Sequence, residues 1–248
     1  MFTVDRRRYV RTRLLERARE DGRIVGAALT GSAARDAEDR WSDVDLFFGV
    51  ADGVTVKETL RDWSAFVYRE FGALHHFDLQ AGPATYRAFL LGELLEIDLG
   101  FTPATVFGPL GNGGFRVVFG EAVERKQGKT DPGHLIGLAW HHVLHARISI
   151  ERGALWQAEH WISGIRDHVL TLACLRLGHP VTHAKGADRL PPEITGPIRE
   201  ALVRTLDAGE LSRALGAATR ALLRELRETD PGIVETLEKP LLDLAAVS

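Results

Sequence analysis

Cysteine is all but missing. Cys174 is the only one in 248 residues, so no intrachain disulfide can form, and the expected compartment is a reducing cytoplasm. Cys174 sits in the apolar run Leu170-Thr171-Leu172-Ala173-Cys174-Leu175 and reads as core packing. An excess of positive charge is also missing: 31 Lys and Arg stand against 34 Asp and Glu, a net charge of -3. No global basic field attracts a polyanion, so nucleic acid is not an expected partner. No apolar run is long enough to span a bilayer, and the N-terminus is charged rather than signal-like, so a membrane association is not expected either. The glycine cluster Gly111-Asn112-Gly113-Gly114 lacks the Lys-Ser/Thr ending of a phosphate loop and reads as a turn. His141 and His145 have a zinc-ligand spacing of i, i+4, but no Glu or Cys nearby completes a motif, so they read as helix surface.

Two apolar runs organise what is present. Ile24 to Thr30 reads as a buried strand, broken by Gly31-Ser32. A small residue there lets backbone N–H groups approach a phosphate, and a helix starting just after would add its positive end. Val44 to Val50 is a second buried strand. Asp43 and Asp45 are two residues apart and so point to one side of the pleat. Neighbouring carboxylates repel, and a divalent cation between them is the usual resolution. Further on, Glu96-Ile97-Asp98-Leu99 puts Asp98 between apolar neighbours, where an unpaired carboxylate is costly. Metal would relieve that cost; a structural ion pair is the alternative. Asp78 is the fallback third carboxylate.

The remaining pattern gives a fold class of α+β. Asp5 to Asp21 reads as a helix, and its Arg6-Arg7-Arg8 as a solvated face. Val54 to Phe71 reads as another helix, Leu74 to Leu79 as a strand, and Tyr86 to Phe101 as a hairpin turning at Gly92-Glu93. Phe115 to Phe119 would be an edge strand. The charged stretch Glu121 to Pro132 places a domain boundary, with residues 1–128 before it and 129–248 after. Beyond it the chain reads as a helical bundle: His134 to Arg152, Leu155 to Leu177, Ile194 to Leu206, Leu211 to Glu228 and Ile233 to Val247, with a loop at Val181 to Pro192.

Apolar strand, Gly31-Ser32, a spacer of about ten residues, then Asp43-Val44-Asp45 on the next strand and Asp98 on a later one resemble the nucleotidyltransferase superfamily that contains DNA polymerase beta, kanamycin nucleotidyltransferase and the aminoglycoside and lincosamide antibiotic nucleotidyltransferases. The resemblance covers residues 24–101; beyond them it is one of architecture. It implies an N-terminal catalytic domain, a mixed sheet flanked by helices, followed by an α-helical domain. It implies Mg²⁺ held by Asp43, Asp45 and Asp98, and ATP or another NTP with its triphosphate on Gly31 and Ser32. The expected reaction moves a nucleoside monophosphate onto a hydroxyl of a small molecule, an aminoglycoside or lincosamide by the same resemblance. The acceptor's proton goes to Asp98, or to a helical-domain acid such as Glu159, which sits among Trp156, His160 and Trp161. A salt bridge of Glu159 with Arg166 is the plain alternative. Lys185, in the His183-Ala184-Lys185-Gly186 loop, is a further candidate for the triphosphate. The chain is expected as a monomer or homodimer. Two other readings compete: an antitoxin-like enzyme that adenylylates a partner protein, and a non-catalytic nucleotide-binding module.

Overall fold

The structure is a computed structural model and describes residues 1–110, 114–125 and 130–246. The chain divides into two compact units, Met1–Gly128 and Lys129–Ser248. Of the expected Gly111–Gly114 turn only Gly114 is among the described residues, and positions 126–129, within the stretch read as a domain boundary, lie outside them.

The first unit begins with α1 (Val4–Glu20), capped by the Thr3 hydroxyl on the Arg6 N–H. Its inward stripe is Val10, Leu14 and Ala18, spaced i, i+4. Strand β1 (Ile24–Thr30) and strand β2 (Val44–Val50) follow. Helix α2 (Val56–Phe71) starts at Thr55, whose hydroxyl accepts from Glu58 N–H, and ends at Gly72 in the left-handed region. Strands β3 (Ala73–Ala81), β4 (Ala84–Leu91), β5 (Glu96–Pro103) and β6 (Phe115–Phe119) complete the unit. The sheet runs β3-β4-β5-β2-β1-β6. Only the central pair β2–β5 is parallel; α2 and the β3–β4 hairpin make its crossover.

Strand periodicity then decides which side chains meet. Leu46 and Phe48 of β2, Ile97, Leu99 and Phe101 of β5, and Phe89 and Leu91 of β4 join α1 and α2 in one core. Trp63 of α2 is fully buried there, its ring 4.8 Å from Phe48 and 5.4 Å from Phe101. The alternate residues, Asp45, Phe47, Asp98 and Tyr86 among them, are left for the opposite face.

The second unit is helical: α3 (Pro132–Glu151), α4 (Leu155–Arg176), α5 (Pro192–Arg199), α6 (Ala208–Thr229) and α7 (Pro231–Ala245). Helix α6 is buried nearly all round, through small residues such as Ala214, Gly216, Ala217, Ala218 and Ala221. Beside them Glu225 is buried and accepts two bonds from the Arg176 guanidinium, at 2.8 and 2.9 Å. Two expectations change here. The helix expected from Ile194 to Leu206 ends at Arg199, because Arg213 of α6 donates to the carbonyls of Glu200 and Leu202 and holds that backbone off the helical path. The loop expected at Val181 to Pro192 contains two 3₁₀ turns, Thr182–Ala184 and Ala187–Arg189.

Candidate metal centre

The end of β1, the start of β2 and the middle of β5 bring three acids together. Asp45 and Asp98 are register partners on the parallel pair, and Asp43 precedes β2 by one residue. One carboxylate oxygen from each of Asp43, Asp45 and Asp98 lies within 4.8 Å of the others. Among the described residues this is the only group of three or more His, Cys, Asp or Glu side chains so arranged. The His141 and His145 rings lie 4.2 Å apart with planes tilted by 50° but complete no such set.

The electrostatics of the group call for a cation. Oδ1 of Asp98 is buried and has no hydrogen-bond partner among the described residues. Burial first, then the charges of Glu96 and Asp43, push the Asp98 carboxyl up to about 7. A buried oxygen with no donor and a proton held this high fit a site that a divalent ion would complete. Asp78, the fallback acid, is instead spent on β4: Arg87 donates to both of its oxygens at 2.6 and 2.7 Å and holds its carboxyl below the usual range.

Gly31 sets the floor of the site. Its φ is +59°, and a Cβ on it would lie 2.0 Å from Oδ2 of Asp45. Any side chain at position 31 therefore occupies the space of that carboxylate. No α-helix follows Gly31-Ser32. The chain makes only a three-residue 3₁₀ turn, Ala33–Arg35, and the Ser32 hydroxyl caps nothing. The expected helix dipole is thus not supplied. The reason lies in the next residues: Asp36 adopts φ +53°, and Arg116 of β6 donates to both its oxygens and to the Ala33 carbonyl, fixing a turn where a helix would have continued.

The spacer is held as firmly. Arg7, expected on a solvated face, is only 4% exposed. Its Nη1 donates to the carbonyls of Asp39 at 2.5 Å and Ser42 at 2.9 Å, and its Nε lies 3.2 Å from Glu38. Arg11 also binds Glu38, at 2.7 Å. The Asp39 carboxylate accepts from Trp41 N–H and the Ser42 hydroxyl, which hold its carboxyl below the usual range. The segment leading into Asp43 is therefore pinned to α1. Arg6 pairs with Glu93, and Arg8 alone of the three arginines is an exposed helix-surface group.

Tyr86 completes this face. It lies opposite Gly100, whose missing Cβ makes room for the Tyr86 and Phe47 rings, 5.5 Å apart. Burial, with the nearby charges of Asp45 and Asp98, pushes the Tyr86 phenol up to about 12. With Gly31, Phe47, Leu110 and Phe115 it lines a cavity of about 160 Å³ beside the acids. Tyr86 and Arg116 were not singled out as site residues from sequence, and Arg7 was read only as part of a solvated face. Only the hairpin register, Ala88 opposite Asp98, could have placed Tyr86 on the acid face.

Glu159 and Lys185 belong to the second unit. Glu159 is half-buried on α4 and accepts from the Ser163 hydroxyl at 2.6 Å, while Arg166 donates to that same hydroxyl at 2.7 Å. Ser163 thus stands between Glu159 and Arg166, in place of a direct ion pair. Lys185 is exposed at the end of its 3₁₀ turn.

No protein-family model and no curated protein matches the chain. Solved structures are similar to it, two of them as follows. An aminoglycoside 6-adenyltransferase from Bacillus subtilis aligns over 94% of this chain and 96% of its own, with 11% identity and a TM-score of 0.43. The polymerase core of TRAMP, an RNA surveillance complex, aligns over 100% of this chain and 85% of its own, with 12% identity and a TM-score of 0.31. Overlaps of this size establish neither an activity nor a substrate.

Proposed function

We propose that this chain is a magnesium-dependent nucleotidyltransferase that moves AMP from ATP onto a hydroxyl of a small molecule, with an aminoglycoside or lincosamide antibiotic as the favoured acceptor and antibiotic resistance as the role. The observation that carries the reading is the convergence of Asp43, Asp45 and Asp98 within 4.8 Å beside the left-handed Gly31. The acceptor class rests on the sequence resemblance alone.

Asp43, Asp45 and Asp98 would hold the metal, which when bound neutralises charge on the transferred phosphate and the leaving pyrophosphate. The backbone at Gly31-Ser32 takes the triphosphate, a role that rests on the sequence resemblance; the glycine itself is needed because a Cβ there would meet Asp45. Tyr86 stays a neutral phenol near pH 7 and adds no repulsion to an anionic substrate. Lys185 contributes a positive charge to the triphosphate. Asp98 or Glu159 takes the proton from the attacking hydroxyl. Holding the two reactants in line supplies most of the acceleration.

The test is a screen of aminoglycosides, lincosamides and hydroxylated metabolites with labelled ATP and Mg²⁺, read as labelled acceptor and released pyrophosphate. Asp45→Ala should lower turnover about 100-fold or more with the fold kept; turnover within tenfold of wild type would remove the metal role. Glu159→Gln should slow transfer without weakening ATP binding, and unchanged kinetics would take Glu159 out of the mechanism. Label on a protein rather than a small molecule would favour the antitoxin-like reading.

A further inference from the structure

The outer edge of the sheet is a long strand with a register shift between Ala73 and His75 at its start and a regular run over residues 75–81. Strand β3 is nine residues long and terminal in the sheet, whereas the opposite edge, β6, has five. Natural edge strands are blunted by Lys, Pro, an inward charge, shortness or a bulge, and here only a bulge at the first residues is present. Residues 73–81 contain no Lys, Arg or Pro. Their single charged side chain, Asp78, is neutralised from within the sheet by Arg87. The strand instead presents Leu74, Phe77 and Leu79 at 62%, 51% and 56% exposure, and Leu90 of β4 adds 40%. A patch of this kind, beside a row of unpaired backbone donors and acceptors, is an interaction site.

The sequence of the strand specifies its partner. Antiparallel pairing of β3 with a second β3 about Phe77 sets Phe77 against its own copy and His75 against Leu79 of the other chain. The same register sets His76 against Asp78, twice across the two-fold axis. Nδ1 of His76 already meets the Tyr68 hydroxyl at 2.8 Å, which leaves Nε2 as the ring nitrogen to face the incoming carboxylate. Across residues 75–79 apolar side chains thus meet an apolar one or an imidazole and the only acid meets a histidine, with no like charges opposed, while Leu74 faces Gln80 at the ends of the pairing. An unrelated peptide would have to match that pattern; a second copy does so by symmetry.

We infer that the chain forms a homodimer by β3–β3 addition, joining two six-stranded sheets into one across the axis at Phe77. This is a closed, isologous contact. Phe77 faces the same side as Ala88, which lies opposite Asp98, and Leu79 the same side as Tyr86. A two-fold axis normal to the sheet therefore keeps both acid clusters on one face. Asp98 and its copy then stand five strand spacings apart, about 24 Å at the usual interstrand distance.

Sedimentation of the full chain over a hundredfold range of concentration tests this. The expected particle has twice the 27.4 kDa chain mass. The exposed-site double variant Phe77→Lys with Leu79→Lys should sediment as a single chain with an unchanged circular dichroism spectrum, and His76→Ala should weaken the dimer several-fold. Hydrogen exchange of the wild type supplies a readout that needs no variant: amides of residues 73–81 should be protected at high concentration and lose protection on dilution. A wild type that stays a monomer throughout overturns the proposal. So does a dimer that survives the double lysine variant, or one whose 73–81 amides exchange freely.

Discussion

A glycine and an aspartate share one volume at the centre of this site, and that makes position 31 its most sensitive point. A methyl group there would sit 2.0 Å from Oδ2 of Asp45, on a backbone with φ +59°. Gly31→Ala therefore carries both a steric conflict and left-handed strain, of order 1 kcal/mol for the backbone alone. Its larger effect should be on the ion: Mn²⁺ affinity, followed by titration calorimetry, is expected to fall at least about tenfold, the scale seen when groups that orient metal ligands are lost. Unchanged affinity would mean that Asp45 does not need its present position. At this scale the sequence was informative about the acids and silent about their neighbours. Asp43, Asp45 and Asp98 announce themselves because carboxylates beside buried strands are costly without a purpose. Tyr86 does not, because an aromatic residue in a hairpin arm has an ordinary packing role; only its register with Gly100 reveals the charges around it.

Among the elements, strands 24–30 and 44–50 were legible to the residue, since each is an apolar run bounded by turn residues. The connection between them was not. A helix was expected after Ser32, and Arg7 was expected in solvent. Both errors have one origin: the spacer is shaped by long-range arginines, Arg7 from α1 and Arg116 from β6, and a charged side chain on a helix or strand does not declare which loop it will reach. The arrangement predicts what its loss will do. Arg7→Ala leaves the carbonyls of Asp39 and Ser42 without their buried donor, at roughly 1–3 kcal/mol for each group that water cannot reach. Urea denaturation should show that loss of stability. Arg7→Lys keeps the charge but not the fork, so one carbonyl goes unserved. It should recover part of the stability while Mn²⁺ affinity stays below wild type, because the segment into Asp43 remains slack. Full recovery of both by lysine would show that charge alone holds the spacer. Helix α5 failed in the same way: its end is dictated by Arg213, eleven residues beyond Leu202.

For the whole molecule, the two units answer acid in opposite directions. In the first, the folded Asp98 carboxyl is raised to about 7 from its ordinary value of 3.8. The folded state then binds a proton that the unfolded chain has released, so the cost of this carboxylate is felt above pH 7 and is relieved as pH falls from 7 toward 4. In the second, burial on the α3–α4 face lowers His142 from 6.5 to about 4, and lowers His168 as well, within a cluster that includes His141, His145, His160 and Trp161. Here the unfolded chain takes the proton first. The stability is whole above 6.5 and is lost as pH falls from 6.5 toward 4. The paired carboxylates Asp21 and Glu210, held near 2 in the folded chain, lose their contribution only as pH falls from their ordinary values of 3.8 and 4.5 toward 2, below the pH 5 of the comparison. His76, lowered by its own burial, opposes Asp98 within the first unit, so the Asp98 contribution is isolated by comparison with Asp98→Asn. Calorimetric scans in EDTA at pH 7.5 and pH 5 should show the second unit's transition moving down on acidification, and His142→Gln should reduce that movement. At pH 7.5 Asp98→Asn should melt above wild type in the first transition, and the difference should shrink at pH 5, where the wild-type carboxyl is already protonated. A divalent ion should reverse the order, raising the wild type and leaving Asp98→Asn behind. A gain of stability from Asp98→Asn that is lost once metal is present distinguishes an acid kept for an ion from one kept for the fold. Equal melting of the two proteins under all of these conditions would place Asp98 outside the low-dielectric environment on which the metal assignment depends.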